Sequence, residues 1–588
     1  MGDFSLKEAS LDILDFIVFG AIILGISFTG LYFTRSEKNT SSDYFLAGKK
    51  IRWWGVAGSL FATNISSNQL VGMLGVGFSI GFAQSLYEFG SIPALLILAY
   101  FLLPAYRKLG VTTLSQYLEN KFGRMSSVAY SIISILLILI QMTAAFYIGA
   151  RTTTYLLDGA VTYELVVLLM AFIVFAYTYK GGLESVILTD VIQSFFLIGS
   201  ALLLTYFTFS SGKTDSFFSL IVNHDKLHIS LPADHPQLPF PGAMTGLFLL
   251  HLFYWTSNQY IVQRSLAAIS LEEARTGIFI ASFLKILIPF ITIVTGIAAS
   301  QIFLSQELLP DDTFSKLLTE VVPSHYGFKG FILAGVFCAI VSSLDSMVNS
   351  AATLFSIDLY AKLHPKKTTE TQLIQAGQYF TIFILALSIL FAITLYTPDS
   401  KGNFFIRVSD QSSYLTPGIL AVFLTGILWR TPSKTIAIIV ILLSPFLSIA
   451  LEKFYLLNLF DKARPIFGVK LNFLYRVLLC FSISFVLLAL FPAKSKEDQH
   501  SKKDTKDFLI NLKNYISNRT TKQWFIIVPI FVALASIFIL GEVSANRIET
   551  ALPIAILFLL INRPWRSIEK SLVGCLMALF SFILVYYY

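Results

Sequence analysis

Apolar runs long enough to cross a bilayer as helices, about 17–25 residues each, recur along almost the whole chain. They fall at residues 11–34, 53–80, 84–106, 125–155, 160–178, 184–210, 243–264, 271–303, 328–361, 371–396, 403–430, 433–453, 470–493, 523–541, 548–562 and 567–588. The pattern predicts an all-α polytopic membrane protein of about 14–16 spans, the 548–562 run being short for a crossing. Two runs break the rule that a span is apolar throughout. In SLFATNISSNQLVGMLGVG (59–77), Thr63, Asn64, Ser66, Ser67, Asn68 and Gln69 crowd the middle, with Gly72, Gly75 and Gly77 beyond. In HLFYWTSNQYIVQR (251–264) polar and aromatic residues alternate through a short span. An unpaired polar group in hydrocarbon costs several kcal/mol, so such clusters survive only where protein buries them or they line a cavity. Two discontinuous helices five spans apart fit an inverted repeat of five plus five helices around a central site.

Charge refines the picture. The 588 residues are 55% hydrophobic and only 13% charged, far from a soluble domain, and the net charge of +8 sits in loops between the apolar runs. Every second loop is basic: Arg35, Lys38, Lys49, Lys50 and Arg52; then Arg107, Lys108, Lys121 and Arg124; Lys180; Lys362, Lys366 and Lys367; Arg430 and Lys434. Those loops are expected on the cytoplasmic side of the cell membrane, which puts the N-terminus outside. The excess charge thus reports orientation and not affinity for nucleic acid. The acidic start, MGDFSLKEASLDILDF, leads straight into a full span and does not read as a cleaved signal. Cys338, Cys480 and Cys575 lie in apolar runs without metal-ligand spacing and read as packing residues. The segment 494–522 reads as a solvated cytoplasmic linker, 109–123 as a short amphipathic helix along the inner surface, and Pro93, Pro104 and Pro417 as kinks.

Charge inside a span is expensive and marks a functional candidate, with structural pairing as the competing explanation. Glu88 in QSLYEFGS and Lys285 in ASFLKILIPF could lock two helices together or hydrogen-bond a polyhydroxylated solute. Asp190 begins a span, and Asp345 is a second buried acid beside Ser342, Ser343 and Ser346. The three serines fall on neighbouring positions of one helical face. Hydroxyls and unwound carbonyls are hard oxygen ligands suited to Na⁺ or Li⁺, though a serine-rich packing interface has the same spacing. The chain contains no nucleophile–base pair, phosphate-binding loop or soluble signalling domain, which disfavours an enzyme or a transporter-like sensor.

The motifs ATNISSNQLVGM, SLYEFGS, GGLESVILTDVIQ, YWTSNQYIVQRSLAA, AIVSSLDSMVNSAATLF and YLTPGILAVF resemble those of the sodium/solute symporter family, over roughly residues 10–490. The resemblance is strongest to its bacterial sodium/galactose symporter and sodium/glucose cotransporters. It implies a LeuT-type 5+5 inverted repeat with one extra N-terminal helix and additional C-terminal helices. The expected divisions are 1–52, a transport core at 53–430, peripheral helices at 431–493, the linker, and C-terminal helices at 523–588. It further implies a Na⁺ site made by the carbonyls of Ala62, Ile65 and Ala339 and the hydroxyls of Ser342 and Ser343. A second Na⁺ site would use Asp190, Ser342, Asp345 and Ser346, where Asp345 departs from the small residue of the galactose symporter and could instead pair with a basic side chain.

By the same resemblance Gln69, Glu88, Ser91 and Lys285 would bind the solute, Tyr254 would form an inner gate, and Met73, Tyr87 and Phe405 an outer lid. Two pocket positions differ: His251 stands for an Asn and Ser409 for a Gln. His251 then serves as a plain hydrogen-bonding substitute or as a titratable group. The implied function is Na⁺-coupled import of a neutral sugar or polyol by alternating access. Sialic acid or myo-inositol are the alternatives, and Arg407 is the candidate partner for an anionic solute.

Overall fold

The computed structural model describes residues 11–33, 39–65, 67–157, 161–223, 225–304, 306–364, 368–395, 404–428, 433–456 and 468–491. The linker 494–522, the three C-terminal runs and Cys575 lie outside the described residues. Every span expected between residues 11 and 493 is present.

Helix α1 (Ile13–Phe33) carries an apolar outer face, with Ile17, Leu24 and Phe28 exposed, as lipid contact demands. It is tied inward by Asp15, whose carboxylate accepts the Gly330 N–H at 2.9 Å. The next pass is split into α2 (Trp53–Asn64) and α3 (Ser67–Ile80), the break falling at Ile65 (φ −79°, ψ 71°). The following helix, α4 (81–108), is uneven, with a π-turn at Leu98–Leu102 ahead of Pro104. Next come α5 (Leu114–Phe122) and α6 (Arg124–Leu156). The long Tyr163–Ser210 stretch is two passes, α7 (163–181) and α8 (183–210), turned at Gly182 (φ 58°, ψ −158°). A Cβ there would lie 2.4 Å from the Tyr44 carbonyl, so both conformation and space demand glycine.

The second broken pass is α9 (240–257) and α10 (Gln259–Leu266), interrupted at Asn258 (φ −100°, ψ 124°). Beyond it lie α11 (Leu271–Ile302), α12 (Phe328–Leu363), α13 (Glu370–Thr394), a third split pass of α14 (Phe404–Ser413) and α15 (Pro417–Leu428), then α16 (Lys434–Leu456) and α17 (Phe473–Leu490). Pro417 opens α15 and so marks the start of a helix rather than a kink within one.

The α5 helix differs from its expectation. A capping box between Thr113 and Gln116 starts it, and Leu114, Tyr117, Leu118 and Phe122 do line one face. That face is covered by protein: the Tyr117 ring stacks on Phe423 of α15, centroids 5.5 Å apart. Amphipathicity records that one side is apolar but not whether lipid or another helix covers it. At the centre, α8, α11 and α12 enclose the broken pass α2/α3, whose Leu60, Ala62, Val71 and Met73 are fully buried.

Candidate functional site

The end of α2 leaves carbonyls without intrahelical partners, as every helix C-terminus does. Ile65 still donates its N–H to Phe61 at 2.9 Å, but the next carbonyls, Ala62 and Thr63, point at α12. There Ser342 donates to the Ala62 carbonyl at 3.0 Å and Ser343 to that of Thr63 at 3.1 Å. Both hydroxyls also lie against the Ala339 carbonyl, at 3.2 and 3.0 Å. The result is a buried knot of carbonyl and hydroxyl oxygens, with Ala62, Ala339, Ser342 and Ser343 fully buried. Of the residues expected there, Ile65 forms the break itself, and Thr63 joins through its carbonyl.

One turn away lies an acidic cluster. Ser59 donates to Asp190 Oδ2 at 2.5 Å, and the Thr63 hydroxyl lies 3.4 Å from the same atom. Thr63 also meets Ser346 at 3.0 Å, Ser346 donates to Asp345 Oδ1 at 3.1 Å, and Tyr177 donates to Asp345 Oδ2 at 2.6 Å. Arg264 of α10 lies 3.9 Å from Asp190 and donates to Ser59 at 2.8 Å. Asp345 therefore takes Tyr177 and Ser346 as its hydrogen-bond donors, while the guanidinium stands by Asp190. Asp190 Oδ1 is buried without a hydrogen-bond partner among the described residues. Ser342, expected in this cluster, turns instead to Ala62 and Ala339.

On the other side of Asn64 opens a cavity of about 170 Å³, lined among others by Gln69, Tyr87, Gln141, His251, Tyr254, Lys285, Phe405, Ser409, Ser412 and Thr416. Lys285, almost fully buried, reaches the Glu88 carboxylate and the Asn64 side-chain oxygen and sits 5.0 Å from the centre of the Trp255 ring. Gln69 donates to Glu88 at 3.4 Å. Glu88 stands behind the wall, and the Ser91 hydroxyl is engaged with the Glu88 carbonyl at 2.5 Å. The Glu–Lys alternatives thus merge: the pair locks α4 to α11 and presents Lys285 to the cavity. Three wall residues keep polar atoms without a hydrogen-bond partner among the described residues: Gln141 Oε1, Ser412 Oγ and Thr416 Oγ1.

The residues expected to form gates fall into two groups. Tyr87 and Phe405 meet edge to face with centroids 4.9 Å apart, and Met73 belongs to the same buried apolar cluster. Tyr254 accepts a hydrogen bond from Asn64 at 3.3 Å and packs on Trp255 and Tyr260. Arg407 is elsewhere: it lines a separate cavity between α6, α13 and α14.

A family model, the sodium:solute symporter family, matches residues 44–442, more than half of the chain. The chain belongs to the sodium:solute symporter family. It is a multi-pass membrane transporter and not an enzyme, and Na⁺ is its co-transported ion. Over 466 residues it is 35% identical to the sodium/glucose cotransporter of Vibrio parahaemolyticus, covering 74% of this chain and 84% of that protein. Over 526 residues it is 29% identical to human sodium/myo-inositol cotransporter 2, covering 81% and 76%. Among solved structures, the substrate-bound outward-open state of a Na⁺-coupled sialic acid symporter superposes with a TM-score of 0.69 at 21% identity, over 82% of this symporter and 99% of that chain. That likeness establishes the LeuT-type fold.

Several residues of the site escaped the sequence reading. Thr63 and Asn64 were visible as part of the polar stretch, and Gln141 is a lone amide in an apolar span, which the rule for intramembrane polar groups would have marked. Arg264 ends a motif already quoted. Thr416 lies in the quoted YLTPGILAVF, Ser412 just before it, and Tyr177 had no local signal because its partner Asp345 lies on a helix distant in sequence.

Proposed function

We propose that this symporter imports a neutral polyhydroxylated solute, a hexose or a cyclic polyol, across the plasma membrane with its N-terminus outside. The observation that carries the reading is a cavity lined by the hydroxyls of Tyr87, Ser409, Ser412 and Thr416, the Gln141 amide and the His251 imidazole, whose buried lysine already has its carboxylate. Hydroxyl groups, which both donate and accept, match a wall of hydroxyls, an amide oxygen and an imidazole nitrogen. An acidic solute would want an unmatched cation, and Lys285 is taken by Glu88 while Arg407 lines a different cavity. The sugar and inositol cotransporters among the relatives support the same chemistry.

In this reading Na⁺ takes its ligands from Ala62, Thr63, Ile65, Ala339, Ser342 and Ser343, an oxygen set suited to a hard cation. Ser342 and Ser343 rotate their hydroxyl protons away from the carbonyls and turn lone pairs toward the ion. A second Na⁺ goes to Asp190, Asp345 and Ser346, where two buried carboxylates share one hydrogen-bonded cluster and the guanidinium stands by Asp190. Ion binding fixes the end of α2, and Asn64, the last residue of that half-helix, then sets Lys285 and Tyr254 for the solute. Inward Na⁺ movement is worth about 2.3 kcal/mol per charge for each 100 mV, enough to drive uphill uptake. Closing of the Met73, Tyr87 and Phe405 lid and rotation of Tyr254 alternate the access.

The test is uptake into proteoliposomes with labelled glucose, galactose, myo-inositol and sialic acid, with the charge moved per solute read from the reversal potential. Accumulation of a neutral solute with two charges per molecule is expected. Accumulation of sialic acid alone overturns the solute assignment, and a single charge per neutral solute overturns the second Na⁺.

A further inference from the structure

The half-helix α14 has two faces. Phe405, Val408, Ser409 and Ser412, at helical spacing, look into the cavity. Asp410 and Ser413 look the other way, toward a residue outside the expected 53–430 core. That residue is Arg476 of α17, which is 2% exposed. Its Nη2 donates to Asp410 Oδ1 at 2.6 Å, to the Asp410 carbonyl at 3.2 Å and to Ser413 Oγ at 2.6 Å. Its Nη1 donates to Glu452 of α16 at 3.0 Å, and the guanidinium lies 3.6 Å from the centre of the Tyr414 ring, whose hydroxyl bonds the same glutamate.

A helix that stops inside a membrane protein leaves its last carbonyls in need of donors and its negative dipole end in need of a cation. Arg476 supplies both, and its fork holds the last turn in orientation as well as in place. The arm that carries it is itself fixed. Asn472 caps α17 through the Leu474 N–H at 2.9 Å and donates to the Pro236 carbonyl at 2.8 Å. Tyr475 donates to the Ala233 carbonyl at 2.8 Å. Gly246 of α9 approaches so closely that a Cβ would lie 1.8 Å from the Leu474 carbonyl. The 233–237 segment and α9 therefore hold residues 472–476, and these hold α14. Beyond Ser413 the chain leaves helical form at residues 414–416 before restarting at Pro417.

We propose that Arg476 is a positioning residue for the solute: it clamps α14 from behind so that Phe405, Ser409 and Ser412 stay turned onto the cavity. The clamp belongs to the peripheral helices, so they take part in lid closure rather than only surrounding the core. This rests on the solute site proposed above, but its first test uses no solute. In the full chain with Cys338, Cys480 and Cys575 changed to Ser, Ser412→Cys reports access to the cavity through its reaction with a membrane-impermeant thiol reagent. Adding Arg476→Lys, which keeps the charge but loses the fork, is expected to raise that rate about tenfold, the effect of one or two charge-assisted hydrogen bonds. Glu452→Gln, which leaves the Asp410 arm in place, is expected to raise it about threefold.

The second measurement is the affinity for glucose or myo-inositol, expected to fall about tenfold in Arg476→Lys while the Na⁺ affinity measured without solute changes less than twofold. A residue serving only the fold would lower yield and leave both readouts unchanged in the folded fraction, and that outcome overturns the proposal. If neither probe binds the unmodified protein but the thiol rates shift as stated, the solute assignment fails and the clamp stands.

Discussion

The two polar centres on either side of Asn64 are built in opposite ways. Around Ser342 and Ser343 each hydroxyl already donates to carbonyls, and the oxygens stand as a closed, buried group. Around the cavity, polar atoms on α6, α14 and the α14–α15 connection have no hydrogen-bond partner among the described residues. In the proposed function the first centre accepts a cation by a rotation of two hydroxyl protons. In the same proposal the second is completed by a ligand of many hydroxyls. A closed group next to an incomplete one, joined by one residue of a broken helix, is a physical route by which ion and solute feel each other.

Breaking the contrast at the solute side has the largest expected effect. Glu88→Gln leaves Lys285 buried without its counter-charge, a loss of about 3–5 kcal/mol for a buried pair. Solute affinity measured on the purified protein should fall about a hundredfold or more. Normal affinity in a poorly folding protein would make the pair a helix lock alone. At the ion side, Ser343→Ala removes one ligand from the closed group, and the Na⁺ concentration for half-maximal uptake should rise about tenfold. The ratio of uptake rates for two accepted solutes should stay constant, and a changed ratio would place Ser343 in the wrong centre. The smallest effect sharpens the incomplete wall: Gln141→Leu should alter the preference between glucose and myo-inositol about three- to tenfold without altering Na⁺ dependence. An unchanged preference would remove Gln141 from the solute contacts.

Much of this was legible along the chain, because a membrane imposes a simple code. Span lengths follow bilayer thickness, and polar runs in a span announce a break, as 59–77 and 251–264 do. Ser342 and Ser343 stand out as polar positions in a span for the same reason, and the fold brings them to the end of α2. What the chain hides is which helix answers a polar group. Nothing near Asp345 says that Tyr177 will meet it, or near Arg264 that Asp190 will. Nothing near Ser91 says that its hydroxyl will be absorbed by the Glu88 carbonyl. Likewise α5 reads the same whether lipid or α15 covers it. Those facts belong to tertiary packing, where residues far apart in sequence meet.

The most direct test of the link through Asn64 is reciprocal binding on the full chain in lipid nanodiscs. Solute affinity is measured with and without Na⁺, and Na⁺ affinity with and without the solute that uptake identifies. The linked geometry predicts that each tightens the other by the same factor, at least about fivefold, as thermodynamic coupling requires. Solute affinity that is the same in Na⁺ and in its absence would contradict it.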